Sequence, residues 1–231
     1  MLILRKRVHY EELMDQPDIS RAELERSLSD LEIVNRWLGG MAAIRPHILP
    51  VMNRFHTILD VACGGGEVLR MLADCAREKA LKVDFVGIDV NPRVIDIASS
   101  RSEANENIRF FQADARSLPF NDQSFDLVIS STFLHHLKPG DVVIALEEAA
   151  RVTRHRMVFV DLIRSDICWI GILILSRLIF GRISHHDGPV SFRKAYIPSE
   201  LLELTSQAGI GNSNIYNHPF CRMALVWDRG G

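Results

Sequence analysis

The chain has 231 residues, 47% of them hydrophobic, with 27 basic and 29 acidic side chains and a formal net charge of -2. That is length enough for one domain with a large core, and the near-neutral balance gives no electrostatic case for a nucleic acid as partner. The cysteines at 63, 75, 168 and 221 are scattered without a C-x-x-C pair, which argues against zinc and against a disulfide framework and fits a reducing cytoplasm. From Met1 to Arg7 the apolar residues precede the charges, the reverse of a secretion signal.

Residues 1–52 precede the first predicted strand. Ser20-Arg21-Ala22-Glu23 has the form of a capping box, and Leu24, Leu28, Leu31 and Val34 recur on one helical face, predicting a helix that stops at Gly39-Gly40. The stretch from Thr57 to Gly66 is an apolar run that reaches Asp60 and then three consecutive glycines. It predicts a buried parallel strand turning into a helix over Glu67 to Arg77, with a backbone bare enough for a ligand to approach. A G-x-G-x-x-G dinucleotide fingerprint would need glycine at 69, where Leu69 stands, and Asp60 would repel a pyrophosphate. The acid suits a ligand that carries a cation.

A second strand, Val83 to Val90, ends on Asp89, 23 positions beyond Gly66. A carboxylate at that strand tip can accept both hydroxyls of a ribose. Asn91-Pro92 starts another helix. Strands follow at Ile108 to Ala115, carrying Asp114, and at Phe125 to Ser131. Thr132 to Leu137 lies just past the carboxyl end of the latter, where open α/β sheets bind ligands.

Leu59-Asp60-Val61-Ala62-Cys63-Gly64-Gly65-Gly66 resembles motif I of the class I S-adenosylmethionine methyltransferases, in the form met among relatives of the ubiquinone/menaquinone C-methylases. Ala62 stands for the first glycine of the commoner pattern. Ala115 to Asp126, with its Leu118-Pro119-Phe120 and Ser124-Phe125-Asp126, resembles a second segment of that family, and together the two cover residues 57–137. The resemblance implies S-adenosylmethionine as cofactor and S-adenosylhomocysteine as product. It implies a seat made by Asp60, Ala62, Gly64, Gly66, Asp89, Val90 and Ser130, with Asp114 and the Ala115 N–H at the adenine. It also implies an N-terminal helical cover from which Arg36 or Trp37 reaches the site.

Ser130-Ser131-Thr132-Phe133 lacks both the tetrad of amino-directed DNA methyltransferases and the acids of catechol-type enzymes, so neither nucleic acid nor a divalent metal is expected. Phe133 is expected in the acceptor pocket. The pair His135-His136 reads either as part of the cofactor loop or as a general base.

After a fifth strand at Arg156 to Ile163, Ile167 to Leu175 is continuously apolar before Ser176 and Arg177 interrupt it ahead of Leu178-Ile179-Phe180. This is too short for a membrane span, and a helix apolar all round must be buried or line something greasy. Residues 164–196 are expected to form a lid over a lipophilic acceptor, with Trp169 and Leu173 facing it; a plain core helix or a dimer contact are the other readings. Gly188-Pro189 predicts a turn that puts His186 and Asp187 on a loop, with His186 a second candidate base and Arg193 a partner for an acidic group. A helix from Ile197 to Gly209 and two closing strands complete the chain.

The expected fold is one doubly wound, Rossmann-like α/β domain over 1–231, with a seven-stranded mostly parallel sheet ending in an antiparallel hairpin. The expected function is methyl transfer to a small lipophilic, aromatic metabolite, a phenol or quinone of secondary metabolism, with O-methylation favoured. C-methylation and a non-catalytic cofactor-binding role stay open, as do a monomer or homodimer and a peripheral membrane contact.

Overall fold

The computed structural model describes residues 4, 6–179 and 181–230; the readings of Met1 to Ile3, Arg5 and Phe180 lie outside them. The described residues form seven strands: β1 Thr57–Val61, β2 Asp84–Asp89, β3 Ile108–Gln112, β4 Phe125–Ser131, β5 Thr153–Leu162, β6 Asn214–His218 and β7 Arg222–Asp228. They make one sheet in the order β3-β2-β1-β4-β5-β7-β6. Strands β1 to β5 run parallel, and β7 is antiparallel to both β5 and β6. The strand order reverses between β1 and β4, so a crevice opens at the carboxyl ends of those strands.

The described residues also form eight α-helices: α1 Arg21–Trp37, α2 Gly40–Ile48, α3 Glu67–Glu78, α4 Pro92–Arg101, α5 Pro139–Val152, α6 Asp166–Ile179, α7 Arg182–Lys194 and α8 Pro198–Gln207. Successive strand residues point to opposite faces, and both faces are buried. Leu59 and Val128 pack with Leu146 of α5 and Leu204 of α8. Their neighbours Ile58 and Leu127 pack on the other face with Ile44 of α2 and Leu72 of α3. Among the described residues no helix is long and apolar enough to cross a membrane.

Helix α1 begins as its sequence predicts: the Ser20 side chain accepts the Glu23 N–H, and the Glu23 side chain reaches back to the Ser20 N–H. Two expectations are corrected. First, Gly188 and Pro189 do not turn the chain, for both lie inside α7. Packing outweighs the turn signal there. Ile183 and Phe192 are buried, Asp187 accepts the N–H groups of Leu13 and Met14 at 2.8 and 3.0 Å, and a Cβ on Gly188 would lie 3.2 Å from Ile172 of α6. Second, Cys168 and Cys221 form a disulfide. The antiparallel β5–β7 pairing carries Cys221 beside the end of β5, where its carbonyl accepts the Ile163 N–H at 2.8 Å, and α6 starts immediately after. The cytoplasmic reading therefore loses the support it drew from the cysteines.

Candidate active site

A cavity of about 620 Å³ lies at the carboxyl edge of β1, β2 and β4. Asp60, Asp89 and Asp114, the three acids expected at strand tips, all line it. Asp60 is 1% exposed, and neither of its carboxylate oxygens has a hydrogen-bond partner among the described residues. Burial pushes its carboxyl well above the ordinary value, and Glu67 and Asp89 push it further. Burial also raises Glu67 and Asp89, although Glu67 takes a 2.6 Å bond from Asn35 and Asp89 accepts the N–H groups of Asn91 and Gly64 at 3.0 and 3.2 Å. Three crowded carboxyls with raised affinity for protons make a seat for a cation.

The backbone around them is shaped for close approach. Gly64 and Gly66 have φ of 53° and 77°, and a Cβ on Gly66 would meet the Phe110 ring at 2.7 Å. Ala62 takes the same left-handed region at φ 58°, which accounts for a glycine being commoner at this point of the motif. Asp114 differs from the other two acids: Arg116 holds it at 2.7 Å and keeps its carboxyl below the ordinary value. Ala115, buried, and Val90 line the cavity too.

Several predicted residues stand elsewhere. Gly66 does not line the cavity but caps the start of α3. The Ser130 Oγ donates to the Val61 carbonyl at 2.7 Å, tying β4 to the end of β1. Leu31, Val34 and Asn35 turn α1 towards the cavity, so helical phase sends the next two side chains outward. Arg36 pairs with Glu32 at 3.7 Å, and Trp37 is 72% exposed. In the segment expected to form a lid, Ile172 and Phe192 line the cavity, whereas Trp169 packs against the small cluster of Leu162, Phe192 and Ala195. Leu173 and Arg193 are half-buried away from the lining, and the Arg193 guanidinium sits 5.4 Å from the Tyr10 ring. His186 is exposed and bonds Asp187 at 2.8 Å; it is Asp187 that lines the cavity.

Phe133, His135 and His136 all line the cavity, as expected of the segment after β4. Two residues that the sequence did not single out, Glu12 and Asp15, join them from the first 20 residues. The His135 Nδ1 lies 2.6 Å from Asp161 Oδ1, and the His136 Nδ1 lies 3.4 Å from Asp15 Oδ2. The Nε2 atoms of both face Glu12, at 3.9 and 3.8 Å. Lys194 and Ser191 bond the Glu12 Oε1 at 3.0 and 2.9 Å. Burial pushes the Glu12 carboxyl up, but His136, His135 and Lys194 outweigh it and hold the group below its ordinary value. The only sequence signal for this end was Glu11-Glu12-Leu13-Met14-Asp15, acids interleaved with large apolar residues.

The fold agrees with that of known proteins. Residues 58–156 match the model of a family described as "Methyltransferase domain". An uncharacterised methyltransferase of Bacillus subtilis is 34% identical over 110 residues, 46% of this chain and 40% of the relative. A ubiquinone/menaquinone biosynthesis C-methyltransferase of Rickettsia prowazekii is 33% identical over 118 residues, 50% of this chain and 47% of the relative. The matches thus span less than half the length of these two relatives. A demethylmenaquinone methyltransferase of Bacillus licheniformis is 30% identical over 178 residues, covering 71% of this chain and 73% of the relative. The chain belongs to the class I S-adenosylmethionine-dependent methyltransferases. Solved structures share this methyltransferase fold: one from Aquifex aeolicus has a TM-score of 0.63 at 16% identity, covering 91% of this chain and 99% of its own. Human N-acetylserotonin methyltransferase has a TM-score of 0.65 at 16% identity, covering 92% of this chain and 57% of its own.

Proposed function

We propose that this methyltransferase transfers the methyl group of S-adenosylmethionine to a small, lipophilic, aromatic acceptor, a phenol or quinone precursor, with O-methylation as the first reading. The observation that carries this is the unpartnered, buried carboxylate of Asp60 facing the same cavity as Asp89, Asp114 and the His135-His136 pair. A cofactor with an ammonium and a sulfonium fits that seat, because a cation favours the charged form of a carboxyl whose affinity for a proton is raised by burial and by Glu67 and Asp89. Bound S-adenosylmethionine supplies an already electrophilic methyl carbon.

The chain's own residues then bind and align. Asp60 and Glu67 meet positive charge, Asp89 accepts from ribose hydroxyls, and Asp114 with the Ala115 N–H brackets an adenine. Ser130 and Gly66 fix the backbone that presents them. Ile172, Phe133, Phe192 and Met14 give the acceptor an apolar wall, and the group of Glu12, His135 and His136 receives its polar end. Holding two reactants in line supplies about 7 to 11 kcal/mol. Loss of the acceptor's proton at that group adds on the order of 10²- to 10⁴-fold.

C-methylation of a quinone precursor is the second reading, favoured by what the Rickettsia relative is named for. Transfer of labelled methyl from S-adenosylmethionine onto a panel of phenols, quinones and fatty acyl compounds tests both. Mass spectrometry separates them, since an O-methylated product has one exchangeable hydrogen fewer and a C-methylated one does not. No labelled product from any class, with tight S-adenosylhomocysteine binding, would favour a non-catalytic cofactor-binding protein instead.

A further inference from the structure

Glu12, His135 and His136 come together from two distant parts of the chain: Glu12 immediately precedes the 3-10 turn at Leu13–Asp15, and the histidines lie in the one at Leu134–His136. One ligand-type atom from each lies within 4.8 Å of the other two. Glu12 and His135 are buried, at 4% and 3% exposure, and all three line the acceptor cavity. Two imidazoles and one carboxylate form a donor set that suits a divalent first-row transition ion and leaves coordination positions open.

The surroundings of each donor match what such an ion requires. A ligating histidine needs its other nitrogen held by an acceptor, which fixes the ring and directs the free lone pair. The Asp161 carboxylate does this for His135 Nδ1 at 2.6 Å, and Asp15 stands at 3.4 Å from His136 Nδ1, a nitrogen that also has the Lys194 ammonium 3.5 Å away. Both Nε2 atoms are thereby turned to Glu12. A ligating carboxylate is steadied in the same way through its second oxygen, and Lys194 and Ser191 bond Glu12 at Oε1. That leaves Oε2, 3.8 Å from His136 Nε2, while His135 Nε2 lies 3.9 Å from Oε1. The Lys194 ammonium thus belongs to the surround and does not fill the centre.

We propose that Glu12, His135 and His136 bind a divalent transition ion of the zinc or iron(II) class, whose open positions take the acceptor's oxygen. The inference deepens the methyl-transfer reading and rests on it for the acceptor, but not for the ion. On the ion, the acceptor hydroxyl gives up its proton to solvent. Its oxygen then bonds to the methyl carbon as the carbon–sulfur bond breaks and the sulfur keeps the electron pair. The sequence expectation of no metal came from the scattered cysteines and from Ser130 and Ser131, none of which these donors use.

The test uses the full chain, stripped with a chelator and titrated with zinc chloride alone, with cobalt(II) as a spectroscopic probe. One equivalent of zinc per chain is expected, with cobalt d–d bands of a low-coordinate nitrogen and oxygen site. Glu12→Gln and His136→Ala should each weaken zinc at least 100-fold, and Asp161→Asn, which touches no ion, about 10- to 100-fold. S-adenosylhomocysteine should bind all three variants as it binds the parent, showing that they are folded. Absence of stoichiometric zinc in the parent, or binding unmoved by Glu12→Gln and His136→Ala, would overturn the site. Failure of the parent to bind S-adenosylhomocysteine while zinc binds would count against the cofactor reading and leave the ion site standing.

Discussion

Replacing Asp60 by asparagine keeps the side chain's size and removes its charge, at a position where neither oxygen has a partner among the described residues. Burial raises the Asp60 carboxyl in the folded chain. Between the unfolded chain's usual value of about 3.9 and the raised folded one, the cofactor-free protein therefore holds a proton there that the unfolded chain has released. Folding stability from this group accordingly falls as pH rises from about 4 through the folded value, and below about 4 the cost vanishes. The Asp60→Asn protein should melt no lower than the parent at pH 7, with the two converging towards pH 4. Cofactor affinity should move the other way. A charge-assisted hydrogen bond is worth about 1.5 to 3 kcal/mol, which is roughly 10- to 150-fold in Kd at about 1.36 kcal/mol per tenfold. Calorimetry with S-adenosylmethionine and S-adenosylhomocysteine, beside thermal denaturation from pH 4 to 8, measures both. The parent should also release protons on binding the cofactor. An unchanged cofactor Kd with a lower melting temperature at pH 7 would make Asp60 a structural carboxylate and refute the cation seat.

Ile172→Ala should raise acceptor KM several-fold and leave cofactor Kd alone, since Ile172 lines the cavity. Trp169→Ala, at a half-buried position packed on Phe192, should instead cost stability, about 2 kcal/mol against the 3 to 5 of a fully buried aromatic; denaturant titration and steady-state kinetics distinguish them. Ala62→Gly relieves a left-handed alanine at φ 58°. Relief of about 1 to 2 kcal/mol less about 0.4 to 1 of chain entropy predicts a gain of about 0.8 kcal/mol by chemical denaturation. The Cys168–Cys221 bridge spans 53 positions, so Cys168→Ser should lower stability by about 2 to 4 kcal/mol under oxidising conditions and change nothing in reductant.

The sequence by itself determined the strands, the glycine corner, the capping box of α1 and the acids at the tips of β1 and β2. Each is written in neighbouring residues: a period of two or 3.6, a side chain bonding three positions on, a carboxylate where an apolar run stops. Tertiary structure alone decided which parts of the chain face one another. Helical phase gave the cavity Asn35 and Val34 and sent Arg36 and Trp37 outward, a rotation that a one-residue error in facing reverses. The antiparallel return of β7 brought Cys221 to Cys168, and the docking of the Leu13–Asp15 turn on α7 brought Glu12 and Asp15 to His135 and His136. No local pattern encodes such pairings, because they arise when separate apolar faces are buried together and their polar groups must find partners inside.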